Sequence, residues 1–239
     1  MDQSLNLFLI NLMVKLGLGA ALAAALVRSV EFKSLLYRED RSLRDRIYLV
    51  LWLVVASWIG KALVSGVWIK FSPINNFTGD PSFETTVLLG ALAGRGAGVI
   101  GGALLALPGA FNGGWLLVPL NILIGFSAGQ LREFSPDHQE IWNFSPFNYL
   151  SLLRWVRRTE PRPSFSDWQM IFLLSILLLR FLQSEILRWL PNYGYVAQPR
   201  WLDLLAYATS VTVIVIELKI WNGVRLQIKL EEQERLLLK

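Results

Sequence analysis

From Thr85 to Leu131 the chain runs for 47 residues with one charge, Arg95. No water-soluble domain accommodates such a segment easily, and it is too long for one bilayer-spanning helix, which takes roughly 20 residues. Glycine also concentrates here: nine of the chain's 18 glycines lie between Gly90 and Gly114. In water, glycine weakens a helix. In a bilayer, helix pairing gains little from hydrophobicity and depends on close backbone approach, so small residues line the contacts. Gly90/Gly94, Gly98/Gly102/Ala106 and Gly125/Gly129 repeat at four-residue spacing, and these six glycines are the expected packing positions. Gly94-Arg95-Gly96 and Pro108 to Gly114 interrupt the run. Three helices are therefore expected, at about 84–94, 97–109 and 113–131, the first two short enough to tilt or to form a re-entrant hairpin.

Four further apolar runs are long enough to cross: 5–27, 47–69, 168–190 and 201–221. With 54% hydrophobic and 17% charged residues and a mean hydropathy of +0.44, the chain reads as an all-α polytopic membrane helix bundle. It has about seven transmembrane helices, including a short glycine-rich helical hairpin, and ends in a cytoplasmic connector helix. The organisation expected is a transmembrane domain over 1–222 and the start of a signalling helix over 223–239. The first run has no basic n-region or cleavage site and is expected to be a retained helix.

The basic residues cluster in two loops, 28–46 and 132–162, whereas 70–82 and 191–200 carry one Lys and one Arg. The positive-inside rule makes the basic loops cytoplasmic, with the N-terminus outside and the C-terminus inside. The net charge of +5 thus reflects topology, and no nucleic-acid partner is implied. Within the second loop, Ser145-Pro146 is an N-cap and helix-starting pair. The following FNYLSLLRWVRR suits a helix lying on membrane lipids, with arginines among the head groups. There is no cysteine, and the one histidine, His138, sits in a polar loop. No metal site, cofactor or catalytic motif is expected.

Charges inside apolar spans are costly and usually face a bundle interior or a wet cavity. Lys15 lies near the middle of the first run, on one face with Asn11, Gly19 and Ala23. Lys61 lies between Ser57 and Ser65 in the second. Arg180 is central in the sixth, one turn before Ser184, and Asn121 follows Pro119 in the fifth. Acids are fewer and nearer the span ends (Glu84, Glu185, Glu217), so the expected interior is positive and suited to a small anionic ligand. The competing reading has the lysines snorkelling and Arg180 pairing with Glu185, Glu217 or carbonyls. After the last span, Leu226, Leu230, Gln233 and Leu237 follow a heptad spacing flanked by charges, which suits a homodimeric helical connector.

The strings LLYREDRSLRDRIYLVLWLVVASWIGK and LGALAGRGAGVIGGALLALPGAFNGGWLLVPLNILIGFSAGQL resemble the membrane-sensing region of LytS-type sensor histidine kinases. The tail ELKIWNGVRLQIKLEEQERLLLK resembles the connector into the kinase's dimerisation domain. The resemblance covers about 33–131 and 217–239. It implies a membrane sensor of a two-component system that detects a small ligand or membrane state in the bacterial plasma membrane and acts on a response regulator through a kinase domain. The chain itself holds neither the phospho-acceptor motif nor ATP-binding boxes. The family's "NTR" falls at Glu84-Thr85-Thr86 and its "HR" near Pro108-Gly109, so the family's carboxylate-binding arginines have no counterpart. Candidate ligand contacts are therefore Lys15, Lys61, Glu84, Thr85, Asn121 and Arg180. A different reading is the substrate-binding membrane subunit of a vitamin-type uptake transporter, which also packs glycine-rich helices round a cavity but needs no charged connector.

Overall fold

Each apolar run closes into a helix near its expected ends. The structure, a computed structural model, describes residues 2–38, 41–68, 80–111, 114–135, 137, 139–145, 165–188 and 200–237. Eight α-helices and no strand occur among them: α1 (Asp2–Leu26), α2 (Val30–Tyr37), α3 (Leu43–Trp68), α4 (Ser82–Ala93), α5 (Arg95–Phe111), α6 (Leu117–Glu133), α7 (Phe165–Arg188) and α8 (Arg200–Leu237). A single 3-10 turn spans Glu140–Asn143. His138 and the surface helix expected after Ser145 lie outside the described residues, as does the Ser65 side chain.

Four helices, α1, α3, α7 and α8, are long and apolar enough to cross a membrane. Their outward faces carry the apolar load. On α3, Ile47, Leu51, Val55, Trp58, Ile59 and Leu63 are exposed, and on α7 so are Ile171, Leu174, Leu178, Phe181 and Leu182. These stripes repeat at three and four residues and would be an aggregation hazard in water, whereas lipid tails cover them without cost. The arrangement is that of a membrane protein. The shorter α4 is the opposite case: all twelve of its residues are buried, the polar first turn with Glu84 included.

Contacts fix the directions of the helices. In α1 and α8, Lys15 meets Ser210, Gly19 meets Val213 and the Trp221 indole donates to the Ala23 carbonyl, a nearly even offset that makes the two helices parallel. The same reasoning makes α4 antiparallel to α5 (Gly90 by Gly98, Thr86 by Gly102) and α5 antiparallel to α6 (Gly98 by Gly125, Gly102 by Asn121). It also makes α7 antiparallel to α8 (Ser184 to Tyr207, Arg188 to Asp203). Arg41 and Leu92 meet at one end of α3 and α4, and Lys61 and Asp80 at the other. The seven helices other than α2 thus alternate in direction along the chain. The short α2, capped by the Ser29 hydroxyl on the Phe32 N–H, lies at the arginine-rich end, where Phe32 packs edge-on against Trp52 and Trp221.

The expected packing glycines lie at the α4–α5–α6 contacts. A Cβ on Gly98 would meet the Gly125 carbonyl, one on Gly102 the Asn121 carbonyl, one on Gly90 the Gly125 carbonyl, and one on Gly129 the Arg95 backbone. Gly94 plays a different part. With φ +92 it stands where a side chain would be strained, ends α4 and lets α5 begin at Arg95 without a connecting loop. The hairpin tip reaches the arginine-rich end, where Arg95 is half-exposed and pairs with Glu133 at 2.5 Å, so this lone arginine is not inside the apolar layer. Two boundaries differ from expectation. α5 runs past 109 to Phe111 with Pro108 inside it, giving up one backbone hydrogen bond, and α6 starts at Leu117 rather than 113.

Candidate functional site

The start of α4 gathers several of the bundle's buried charges. Lys15 Nζ on α1 lies 2.7 Å from Glu84 Oε1, with the two side chains 1% and 0% exposed, and it donates to Ser210 Oγ on α8 at 3.5 Å. Beyond that lysine, neither Glu84 oxygen accepts a hydrogen bond among the described residues. One residue earlier, the Phe83 ring lies beneath the Arg180 guanidinium of α7, at 4.9 Å. Asp80, just ahead of the helix, pairs with Lys61 of α3 at 2.7 Å. Its other oxygen accepts from the Ser82 N–H at 2.9 Å and from the Ser82 hydroxyl.

This convergence has a local cause. The first N–H groups of a helix have no partner within it and present partial positive charge. At twelve residues, α4 is about 18 Å long at 1.5 Å per residue, short of a hydrocarbon layer of about 30 Å. Its N-terminus therefore begins within the bundle, and non-helical backbone at that depth needs protein partners. Asp80 and Ser82 supply them, while Thr85 and Thr86 return their hydroxyls to the Pro81 and Ser82 carbonyls.

From α8, Glu217 adds a second buried carboxylate within electrostatic reach of both Glu84 and Lys15, next to Gly19, whose missing side chain lets α1 and α8 approach. Arg180, 4% exposed, donates to Gln183 Oε1 at 2.5 Å and contributes to the field at Lys15. The face of α1 carrying Asn11, Lys15, Gly19 and Ala23 is buried throughout.

Of the six candidate residues, the structure brings Lys15, Glu84 and Arg180 into one neighbourhood at the start of α4. Lys61 belongs to the adjoining pair with Asp80. Thr85 is buried beside them but spends its hydroxyl on its own helix. Asn121 is buried on α6, its side-chain oxygen without a donor among the described residues, and its backbone meets α5. The expected positive interior does not hold. Lys15 is matched by Glu84 and Lys61 by Asp80, because the start of α4 and the residues before it lie deep enough to meet both lysines. Glu185 turns to Arg188 instead, at 3.1 Å.

Sequence reading passed over Asp80, Phe83, Gln183 and Ser210. Asp80 had a signal, an Asp two residues before a helix-starting Ser in a stretch facing an intramembrane lysine. Phe83 and Gln183 had none, because their contacts come from tertiary placement. Chemically, the cluster offers two carboxyl groups, two cations and hydroxyls in a buried setting. It can hold a proton or a small polar group. No family model, no curated protein and no solved structure matches the chain.

Proposed function

We propose that the protein is the membrane-embedded sensing module of a receptor of the two-component histidine-kinase type. The observation that carries this reading is α8. It is one unbroken helix of 38 residues whose buried half presents Ser210 and Glu217 to the charged cluster and whose last turns leave the bundle. There Leu226, Leu230 and Leu237 are exposed. A change in protonation or occupancy at Lys15, Glu84 and Glu217 alters the contacts of α1 and α4 with α8. A continuous helix transmits the resulting tilt or rotation along its length.

In this reading the chain crosses the bacterial plasma membrane seven times, in the alternating directions of these helices, with α4 covering only part of its crossing. The N-terminus is outside, and the arginine-rich end and the tail are inside. The exposed heptad face of the tail pairs with a second copy, and the partner of the complete receptor is a response regulator. The ligand is a small polar molecule, an anion included, or a membrane state.

The test is spectroscopic. In this cysteine-free chain, Ser34→Cys on α2 and Glu234→Cys on α8 take spin labels at exposed positions. The distance between them is compared in lipid nanodiscs with and without Glu84→Gln, which removes one charge of the cluster. A second or shifted distance is expected. An identical distribution in a folded variant means that the cluster does not govern the pose of α8.

A further inference from the structure

At the arginine-rich end lies a cavity of about 180 Å³, lined by Leu36, Arg38, Arg41, Arg132, Trp142 and Arg225 among others. Four arginines from four separate segments therefore face one small space: the turn after α2, the start of the run into α3, the end of α6 and the middle of α8. Arg38 is matched by Asp45 at 2.8 Å. Asp137, the acid in the lining, already accepts from the Gln139 N–H at 2.8 Å. Arg41 and Arg225 also make contacts with uncharged groups. Arg41 donates from Nε to the Leu35 carbonyl at 3.1 Å and from Nη1 to the Leu92 carbonyl, and Arg225 lies 5.2 Å over the Trp142 ring.

We propose that this cavity is a binding site for a phosphate-type anion, clamped by Arg41, Arg132 and Arg225. The chemistry is that of planar guanidinium forks, which bind phosphate oxygens through paired, charge-assisted hydrogen bonds and stay charged at neutral pH. Burial and the neighbouring Arg132, Arg225 and Arg46 push the Arg41 guanidinium down to about 10, which is the electrostatic demand an anion would relieve. The volume, below the roughly 300–1,000 Å³ of sites for drug-sized ligands, suits one phosphate group rather than a nucleotide. Because Arg225 belongs to α8 and the others to α6 and the α2–α3 turn, an occupant ties the outgoing helix to the bundle. This site is separate from the buried cluster and does not depend on the signalling reading.

The phosphate can come from a lipid head group or from a soluble anion, and the two sources separate experimentally. Thermal unfolding of the whole chain is followed in neutral detergent with inorganic pyrophosphate, against chloride at equal ionic strength. It is followed again in nanodiscs of phosphatidylcholine with and without phosphatidylglycerol. Stabilisation by pyrophosphate identifies a soluble anion, and stabilisation by phosphatidylglycerol alone a lipid. In the responding arm, Arg132→Gln is expected to weaken apparent binding by about ten-fold or more, the usual loss for a hydrogen bond to a charged group. Arg132→Lys, which keeps the charge without the fork, is expected to fall between. Arg95→Gln, which removes an arginine at the same end outside the cavity, is expected to respond as the unmodified protein does. The proposal fails if neither source stabilises beyond chloride, or if both Arg132 variants respond as fully as Arg95→Gln.

Discussion

Lys15→Met is expected to destabilise the folded bundle by about 3–5 kcal/mol, the scale for removing one partner of a buried ion pair. Methionine fills much the same space, so the loss isolates charge from packing. What remains is Glu84, fully buried and, with its lysine gone, without a donor among the described residues. Glu84→Gln is expected to cost less, because Lys15 keeps an amide oxygen as acceptor and still has the Glu217 carboxyl within electrostatic reach. The double change Lys15→Met with Glu84→Leu should recover most of the single-variant loss, since a buried pair exchanged for well-packed apolar groups is often neutral. Thermal unfolding in detergent, read as a double-mutant cycle, measures the coupling. A Lys15→Met protein as stable as the original would mean that the lysine reaches water and that Glu84 does not depend on it.

The second large effect belongs to glycine. Gly98→Leu and Gly102→Leu place a side chain against the backbone carbonyls of Gly125 and Asn121, which cannot move aside as a flexible side chain can. Forcing extra bulk into a packed contact typically costs about 1–3 kcal/mol. At two backbone-to-backbone contacts in one three-helix unit, the upper end is expected. Leu104→Ile, which changes shape without bulk, should cost clearly less. Gly96→Ala and Gly17→Ala, where an added Cβ meets nothing within 4 Å, should be neutral or slightly stabilising. If unfolding temperatures fall equally in all of these variants, close helix approach is not what the glycines provide.

These two cases also mark what the sequence could tell. The glycine contacts were legible because spacing alone places 90, 98, 102, 125 and 129 on helix faces, and membrane packing selects small residues there. The helices themselves were legible to within a few residues, since a run of 20 apolar residues has little else to do. The face of α1 was legible too, from Asn11, Lys15, Gly19 and Ala23 at four-residue spacing. Partnership was not. Which acid meets Lys15 depends on how deep α4 begins, and a helix of twelve residues gives no reading of depth without its neighbours. The arginine cavity was hidden for a related reason. Arg41, Arg132 and Arg225 lie more than ninety residues apart in successive steps along the chain, and each alone reads as an ordinary positive-inside residue. Gly94 was assigned both to packing, by its spacing, and to the break at Gly94-Arg95-Gly96; the break is what the structure shows, though its positive φ leaves no trace in spacing.

The central proposal is that the chain crosses the membrane at the α4–α5–α6 unit as well as at the four longer helices, so that α8 carries the buried cluster's state to the cytoplasmic side. Single cysteines in this cysteine-free chain test it directly in intact cells with a membrane-impermeant thiol reagent. Gly96 and Trp115 are exposed at opposite ends of the α4–α5–α6 unit. Trp115→Cys is expected to label from outside, and Gly96→Cys and Glu234→Cys only after the cells are permeabilised. Labelling of Gly96→Cys from outside would make the hairpin re-entrant, and labelling of Glu234→Cys from outside would place the tail on the wrong side of the membrane for any cytoplasmic signal.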